Sequence, residues 1–537
     1  MKTIRKFISI VLTLVMLIGV FSAVPLSAAA ETGSIPYVER SWKESAGTVV
    51  WHGEFCTDYT DLRDRSSNTL SAGWYVVKSS FTITERLYIG DYTVNILLCD
   101  GATLTANDGI GLSRGGTLNI YGQANDSGKI VAHYEKGPET EDINKGVIGA
   151  DSGDTGIIRI YGGSLDVETG HTINCYYGAA IGGGKGGTAQ KIEIYGGNIS
   201  CRTHGYGAAI GGGYGGKTSW DQSGGTGTAA GIVIYGGNIT ANGYDGSAIG
   251  SGSNCSGRDN SAIAIFDGDI AAVESATAAG IGGGEYSSNG PIDIYGGRIN
   301  ASGVNSRYTG AGIGGGREAN QTSPIRIHGG TIVATGGSGA GIGAGYKGKA
   351  GAITISGASV VASSTAGGAG IGGGKCDSNT GGHGGNITIS DSTVVATSSE
   401  YEEAQAFKDT LNRCIGNSKM KTDATAFADS AVSMIALLVD LFDDNNSGTG
   451  IGGGTGGDAG TITLINSDIT AESGKYAAAI GSGEEGKVDT INISNCTVHA
   501  TSGRYAAAIG SGDESDSGCT INITNGSEVV ATAGTDA

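Results

Sequence analysis

Proline is almost missing from this chain, at 5 residues in 537, and Phe and Trp are scarce, at 8 and 4. Beyond the N-terminus no segment has the roughly 18 consecutive apolar residues that a membrane-spanning helix needs, so the mature chain is not expected to hold a transmembrane segment. Nine cysteines are present, an odd number, and they do not recur at a common offset. Cys175 and Cys201 sit differently in neighbouring repeats, as do Cys496 and Cys519. No disulfide framework is legible, and most of these residues read as small buried hydrophobes. There is no EF-hand loop, nonapeptide calcium repeat, sorting motif, surface-layer repeat or lipidation cysteine.

Glycine is abundant instead: 101 residues, about a fifth of the chain when proline is added. So much glycine without a period would mean disorder, but here the period is clear. The first thirty residues stand apart. Lys2, Arg5 and Lys6, the apolar run from Phe7 to Val24 and the small residues Ala28-Ala29-Ala30 form a secretory signal peptide over 1–30. Without those three cations the chain holds 30 Lys and Arg against 52 Asp and Glu, a net of −22 where the whole sequence has −19. That charge excludes nucleic acid as a partner and repels anionic lipid. It also keeps a long solenoid in solution.

The period is carried by Ile181, Ile210, Ile249, Ile281, Ile313, Ile342, Ile371, Ile451, Ile480 and Ile509, at spacings of 29, 39, 32, 32, 29, 29, 80, 29 and 29. Weaker copies sit at Ile148 and Ile110. Each repeat has three short apolar pieces: A-x-I-G, then I-x-I as in Ile192/Ile194, then a third after a Gly-Gly turn, as in Asn198-Ile199-Ser200. Alternation over three to five positions signals strands, and none of the pieces is long enough for a helix. Pro291 and Pro324 stand just before a second strand, where a missing N–H is tolerated. Three strands per repeat, each unable to bury its own apolar face, predict a stacked solenoid in which Ile lies on Ile. About a dozen coils at ~4.8 Å give a rod on the order of 60 Å long, and parallel crossovers favour the right-handed form.

These residues resemble bacterial secreted right-handed parallel β-helix proteins of the pectate-lyase-like superfamily. Within it, the AGIGGG…I-x-I-Y-G-G…I-T-A pattern is similar to the Gly-rich repeats of surface proteins from Gram-positive bacteria. Gly73 to Val77 through Leu97 to Leu104 resembles the lead-in of such repeats, and the likeness runs from about Ser71 to the C-terminus. It implies an all-β, right-handed parallel β-helix over 71–537, preceded by a lead-in or cap over 31–70. It does not imply one activity, since this architecture hosts lyases, hydrolases, binding modules and adhesins.

One segment breaks the pattern. Residues 400–447 are low in glycine; Phe407, Leu411 and Ile415 share one helical face, and Phe427, Met434, Leu438 and Leu441 another. Asp423 suits an N-cap and Gly416-Asn417 a break. The expectation is a helical hairpin inserted at a coil corner, either a packing decoration or a docking element.

For chemistry, Gly382-His383-Gly384 matches one motif of the pectin-degrading hydrolases of this fold. No Arg-x-Lys follows it, and the Asp443-Asp444 pair lies in the insertion. No catalytic residue, cofactor or metal ligand is therefore assigned. Asp151-Ser152-Gly153-Asp154, Asp443 to Asn446 and Asp513 to Asp516 read as solvated loops, with Ca2+ the one ion their oxygens would suit.

Tyrosine is the informative residue, with 22 copies. Tyr121, Tyr161, Tyr195, Tyr235 and Tyr295 follow the second strand at one repeat position, where Phe266 and His328 stand in two other coils. Tyr177, Tyr206, Tyr476 and Tyr505 come four residues before their anchor Ile, and Tyr214 and Tyr346 four after. The same position on successive coils is a ladder in space. Rings in rows either seal the core or stack on sugar faces. Tyr195, Tyr235, Tyr295, Tyr177, Tyr206, Tyr214 and Trp220, the last in a lengthened loop, are the candidate ligand-binding residues.

The function expected is that of a non-catalytic, secreted or bacterial cell-surface protein that binds polysaccharide or host glycan, or acts as an adhesin. Two alternatives stand beside it: a β-helix carbohydrate-active enzyme (polysaccharide lyase or glycoside hydrolase), and a structural stalk of a larger surface protein. No element that would cap the last coil is recognisable after Val529, so end-to-end self-association, or further C-terminal domains, is also expected.

Overall fold

The computed structural model describes residues 33–134, 143–170, 176–216, 231–255, 262–273, 276–287, 289–303, 308–321, 323–376, 382–398, 448–515 and 518–536. The signal peptide, the helical insertion over 400–447 and Trp220 lie outside the described residues.

The chain is an all-β parallel β-helix with three strands per coil. One sheet of 14 strands runs from Thr69–Leu70 to Ile509–Gly510, and a second of 14 from Phe81–Ile83 to Glu528–Thr532. The third begins at Gly73–Val77 and ends at Thr520–Thr524. Register is strict. Ile110, Ile148, Ile181, Ile210, Ile249, Ile281, Ile313, Ile342, Ile371, Ile451, Ile480 and Ile509 pair in unbroken succession. All but Ile509 have no exposed surface. The long interval from Ile371 to Ile451 leaves the stack intact, because Ile371 pairs directly with Ile451 and Ile387 with Ile462.

The glycine after each anchor explains why the two-letter Ile-Gly unit does not vary. Gly314 and Gly343 have φ of +136° and +140°, and a Cβ built there would lie 1.9 and 2.0 Å from the next coil's glycine carbonyl oxygen. Neither the dihedral nor the space admits a side chain.

The N-terminal segment lies along the side of the rod. β1 (Ile35–Lys43) and β2 (Thr48–Cys56) form an antiparallel hairpin, with Ile35 opposite Cys56 and Lys43 opposite Thr48. Tyr37 touches Trp74 and Tyr121, Arg40 reaches the coil of Tyr161, and Trp42 meets Tyr235 and Phe266. β1 thus runs lengthwise across successive coils and bridges to the rod antiparallel at one point, Val38 opposite Gly122. Ahead of the first full coil, Thr60–Asp61 pairs parallel with Tyr75–Val76, and Leu62 is fully buried. At the other end, Ile521, Ile523 and Val530 of the last described coil are exposed.

Two stability predictions follow from this packing. Gly343→Ala should cost at least ~3 kcal/mol, since strained backbone and a backbone clash add. Gly153→Ala, also at positive φ but with nothing within 4 Å, should cost about 1 kcal/mol; equal costs by denaturant unfolding would refute the contact. Glu472 is 6% exposed, and burial raises its carboxyl from 4.5 to about 7. A folded-state pKa above the unfolded one stabilises the fold below pH 4.5, and that contribution is lost as pH rises through 7. At about 1.4 kcal/mol per unit the loss is on the order of 3 kcal/mol. Melting temperature should therefore fall from pH 5 to 8, and Glu472→Gln should remove most of the fall.

Candidate functional site

Seven rings form one continuous column where the strands of the third sheet end. Centroid distances from Tyr121 through Tyr161, Tyr195, Tyr235, Phe266 and Tyr295 to His328 are 4.6, 4.9, 4.7, 5.2, 4.7 and 4.7 Å, with planes within 20° of parallel. Register makes the column: Ile194 pairs with Ile234, Ile234 with Ile265, and Ile265 with Ile294, so the residue after each must stack. Burial raises the phenol pKa of Tyr121, Tyr161, Tyr195 and Tyr235, and neighbouring tyrosines or Glu193 add to the shift. Burial also opposes ionisation of Glu193, yet hydrogen bonds from Lys191 and Arg159 hold its carboxyl below the usual range.

The hairpin covers the early rungs and stops before the late ones. Tyr121 is buried, Tyr195 and Tyr235 are half-buried, and Tyr295 is 45% exposed. Arg40 anchors the hairpin: it donates to Asp126 at 2.6 Å and to the Tyr161 carbonyl at 2.6 Å. Asp126 also accepts from the Gly163 N–H, and Gln123 donates to the Pro36 carbonyl.

Between hairpin and rod lies an open cleft of about 480 Å³. Arg40, Thr48, Val49 and Trp51 line one side. The rod contributes three successive corners: Tyr195-Gly196-Gly197-Asn198, Tyr235-Gly236-Gly237-Asn238 and, after Phe266, Asp267-Gly268-Asp269. Asn238 donates to Asn198 at 3.0 Å, Asp267 accepts from the Gly268 N–H, and Arg298 pairs with Asp269. Trp51 is 54% exposed. An exposed indole, the edges of two stacked tyrosines, two amides and two exposed carboxylates over a glycine surface offer apolar surface and hydrogen-bonding groups to one ligand.

The other predicted tyrosines gather elsewhere. Tyr177, Tyr206 and Tyr214 close a triangle with centroid separations of 5.5, 5.1 and 5.1 Å, and Lys185 lies over Tyr177 at 4.0 Å. They meet because the Tyr214 N–H donates to the Tyr177 carbonyl of the preceding coil. The same edge carries Asp245 and Glu285 on adjacent coils, with Arg317 paired to Glu285 at 2.9 Å. Burial raises both carboxyls, Glu285 to about 6 with Asp245 adding to the shift. Thus six of the seven candidates split between two edges of the rod, and Trp220 is outside the described residues. Trp51, Arg40, Asp267 and Asp269 were not legible as site residues. Asn198 and Asn238 had a signal, their shared place after the Gly-Gly turn.

His383 pairs with Asp458 of the next coil at 3.2 Å, and Asp458 also accepts from the Lys487 N–H, so this contact ties corners together. Among the described residues, no three His, Cys, Asp or Glu side chains converge where a metal ion could sit. Five of the seven described cysteines are buried.

A family model described as beta helix repeat matches residues 232–253, 292–317, 325–346, 353–375 and 491–513. Each stretch runs from an I-x-I strand, through the corner, to four residues past an anchor isoleucine, so the family's unit is one coil of this rod. No curated protein and no solved structure matches the chain.

If Arg40 is the anchor, Arg40→Ala should free the hairpin while the rod stays folded. Limited proteolysis within 35–56 should accelerate with the main unfolding transition unchanged. Loss of that transition would make the hairpin part of the core.

Proposed function

We propose that this β-helix is a secreted or surface-displayed, non-catalytic protein that binds polysaccharide in the cleft between the N-terminal hairpin and the Tyr-Gly-Gly-Asn corners. The observation that carries the reading is the exposed Trp51 in a cleft shared with Tyr195, Tyr235, Asn198 and Asn238. A large indole left half in water has no core to serve, and beside amides and phenols it suits a sugar ring. The predicted signal peptide and the acidic balance are consistent with work outside the cell.

A second reading, a carbohydrate-active enzyme, is favoured by Asp245 and Glu285. Two half-buried carboxyls on adjacent coils beside Tyr206 and Tyr214 are what acid–base hydrolysis requires, and a carboxyl near 6 suits a general acid.

The readings separate in one set of assays. On the first, Trp51→Ala weakens glycan binding about tenfold, the worth of one aromatic stacking contact, and no reducing ends or unsaturated sugars appear. Turnover that disappears in Asp245→Asn or Glu285→Gln would establish the second. A glycan screen with no ligand would remove the first.

A further inference from the structure

The cleft is not one pocket but the covered part of a track. Five successive coils repeat a corner of ring, Gly-Gly (Asp-Gly after Phe266) and a polar side chain: Tyr195 to Asn198, Tyr235 to Asn238, Phe266 to Asp269, Tyr295 to Arg298, and His328 to Thr331. The cleft takes in the first three. The ring column continues past them without a break, at 4.7 Å from Phe266 to Tyr295 and 4.7 Å from Tyr295 to His328. Trp42 is the last hairpin ring in contact with it, stacked at 5.3 Å over Tyr235 and 4.6 Å from Phe266. Past that point Tyr295 and His328 are exposed.

A surface that repeats a like corner over five successive coils complements a ligand that repeats along its own length. A compact ligand would use one corner and leave the others without a role. The rung spacing of about 4.7 Å is close to the length that one extended sugar unit adds to a polymer. The ligand would therefore lie parallel to the rod, beside β2 and then across Tyr295 and His328.

Charge narrows the class. Three arginines along the track face carboxylates: Arg40 with Asp126, Arg298 with Asp269, and Arg326 with Asp293, which His328 also approaches at 3.7 Å. Asp267 remains, exposed and bonded only to its own turn among the contacts resolved. The whole chain is strongly acidic as well. Such a track repels a polyanion.

We propose that the ligand is an extended, linear polysaccharide, neutral or basic, bound along the rod axis over the corners from Tyr195 to His328. This rests on the reading of the cleft as a glycan site. The test uses the mature full chain, with calorimetry on neutral β-linked glucan oligomers of increasing length, on chitosan, and on polygalacturonate as the polyanion.

Affinity should rise with oligomer length until the track is filled, and polygalacturonate should bind at least about tenfold more weakly at low salt. The double variant Tyr295→Ala/His328→Ala should lose about tenfold in affinity for long oligomers. It should leave short oligomers, held beside Trp51, unchanged. The variant also removes two ring stacks, each a small contribution to stability, so a single cooperative thermal transition, slightly lowered, is expected and serves as the folding control. Binding that is indifferent to length or to the double variant, yet is weakened by Trp51→Ala, would overturn the axial reading and leave the cleft standing. A preference for polygalacturonate would overturn the charge class. Absence of binding by every probe would overturn both readings.

Discussion

The rest of the structure depends on the close approach of backbones at the Ile-Gly corner. From Gly182 to Gly481, a Cβ on any of these glycines would lie 1.7–2.1 Å from the next coil's glycine carbonyl oxygen. With no side chain in the way, backbone hydrogen bonds set the distance between coils. Once that corner is in register, the other two strands have no freedom to slip, because a one-residue slip would turn each interior Ile outward. Ile then lies on Ile, and the ring following each third-sheet strand lies on a ring. Because the constraint is local to the corner, the connections between corners can differ widely. Intervals of 29 and 80 residues sit in one stack.

That logic also explains what the sequence discloses. A period in the chain becomes a vertical line in space, so the isoleucine column and the ring column could be read directly, including Phe266 and His328 standing in for tyrosine. The tyrosines four before and four after an anchor could be read only as two separate rows. Their closure into one triangle depends on a bond from one coil to the previous one, Tyr214 to Tyr177, which no spacing within a repeat encodes.

The hairpin was illegible for a different reason. It occurs once, and its anchor spans long intervals: Arg40 bonds to a side chain 86 positions away and to a carbonyl 121 positions away. The β-branched and aromatic residues of Thr48 to Cys56 suit a strand but say nothing of what it lies against. Trp51 therefore carried no signal, although it lines the cleft between hairpin and rod.

The ring column is sealed at its first rung and open to solvent at its last ones. At Tyr121 the ring meets Tyr37 and Trp74 as well as its neighbour in the stack, and its edge is closed to water. At Tyr295 the stacking distances on both sides are the same 4.7 Å, but no hairpin ring covers the edge. Stacking alone accounts for the order of the column and not for its exposure. What differs is the length of β1, which ends at Lys43, level with the coils just before Tyr295. A solenoid offers identical rungs, and a single non-repeating element decides which of them face solvent. Function on such a scaffold is therefore placed by the departure from the repeat, while the repeat supplies the rigidity that keeps each rung where the next one needs it.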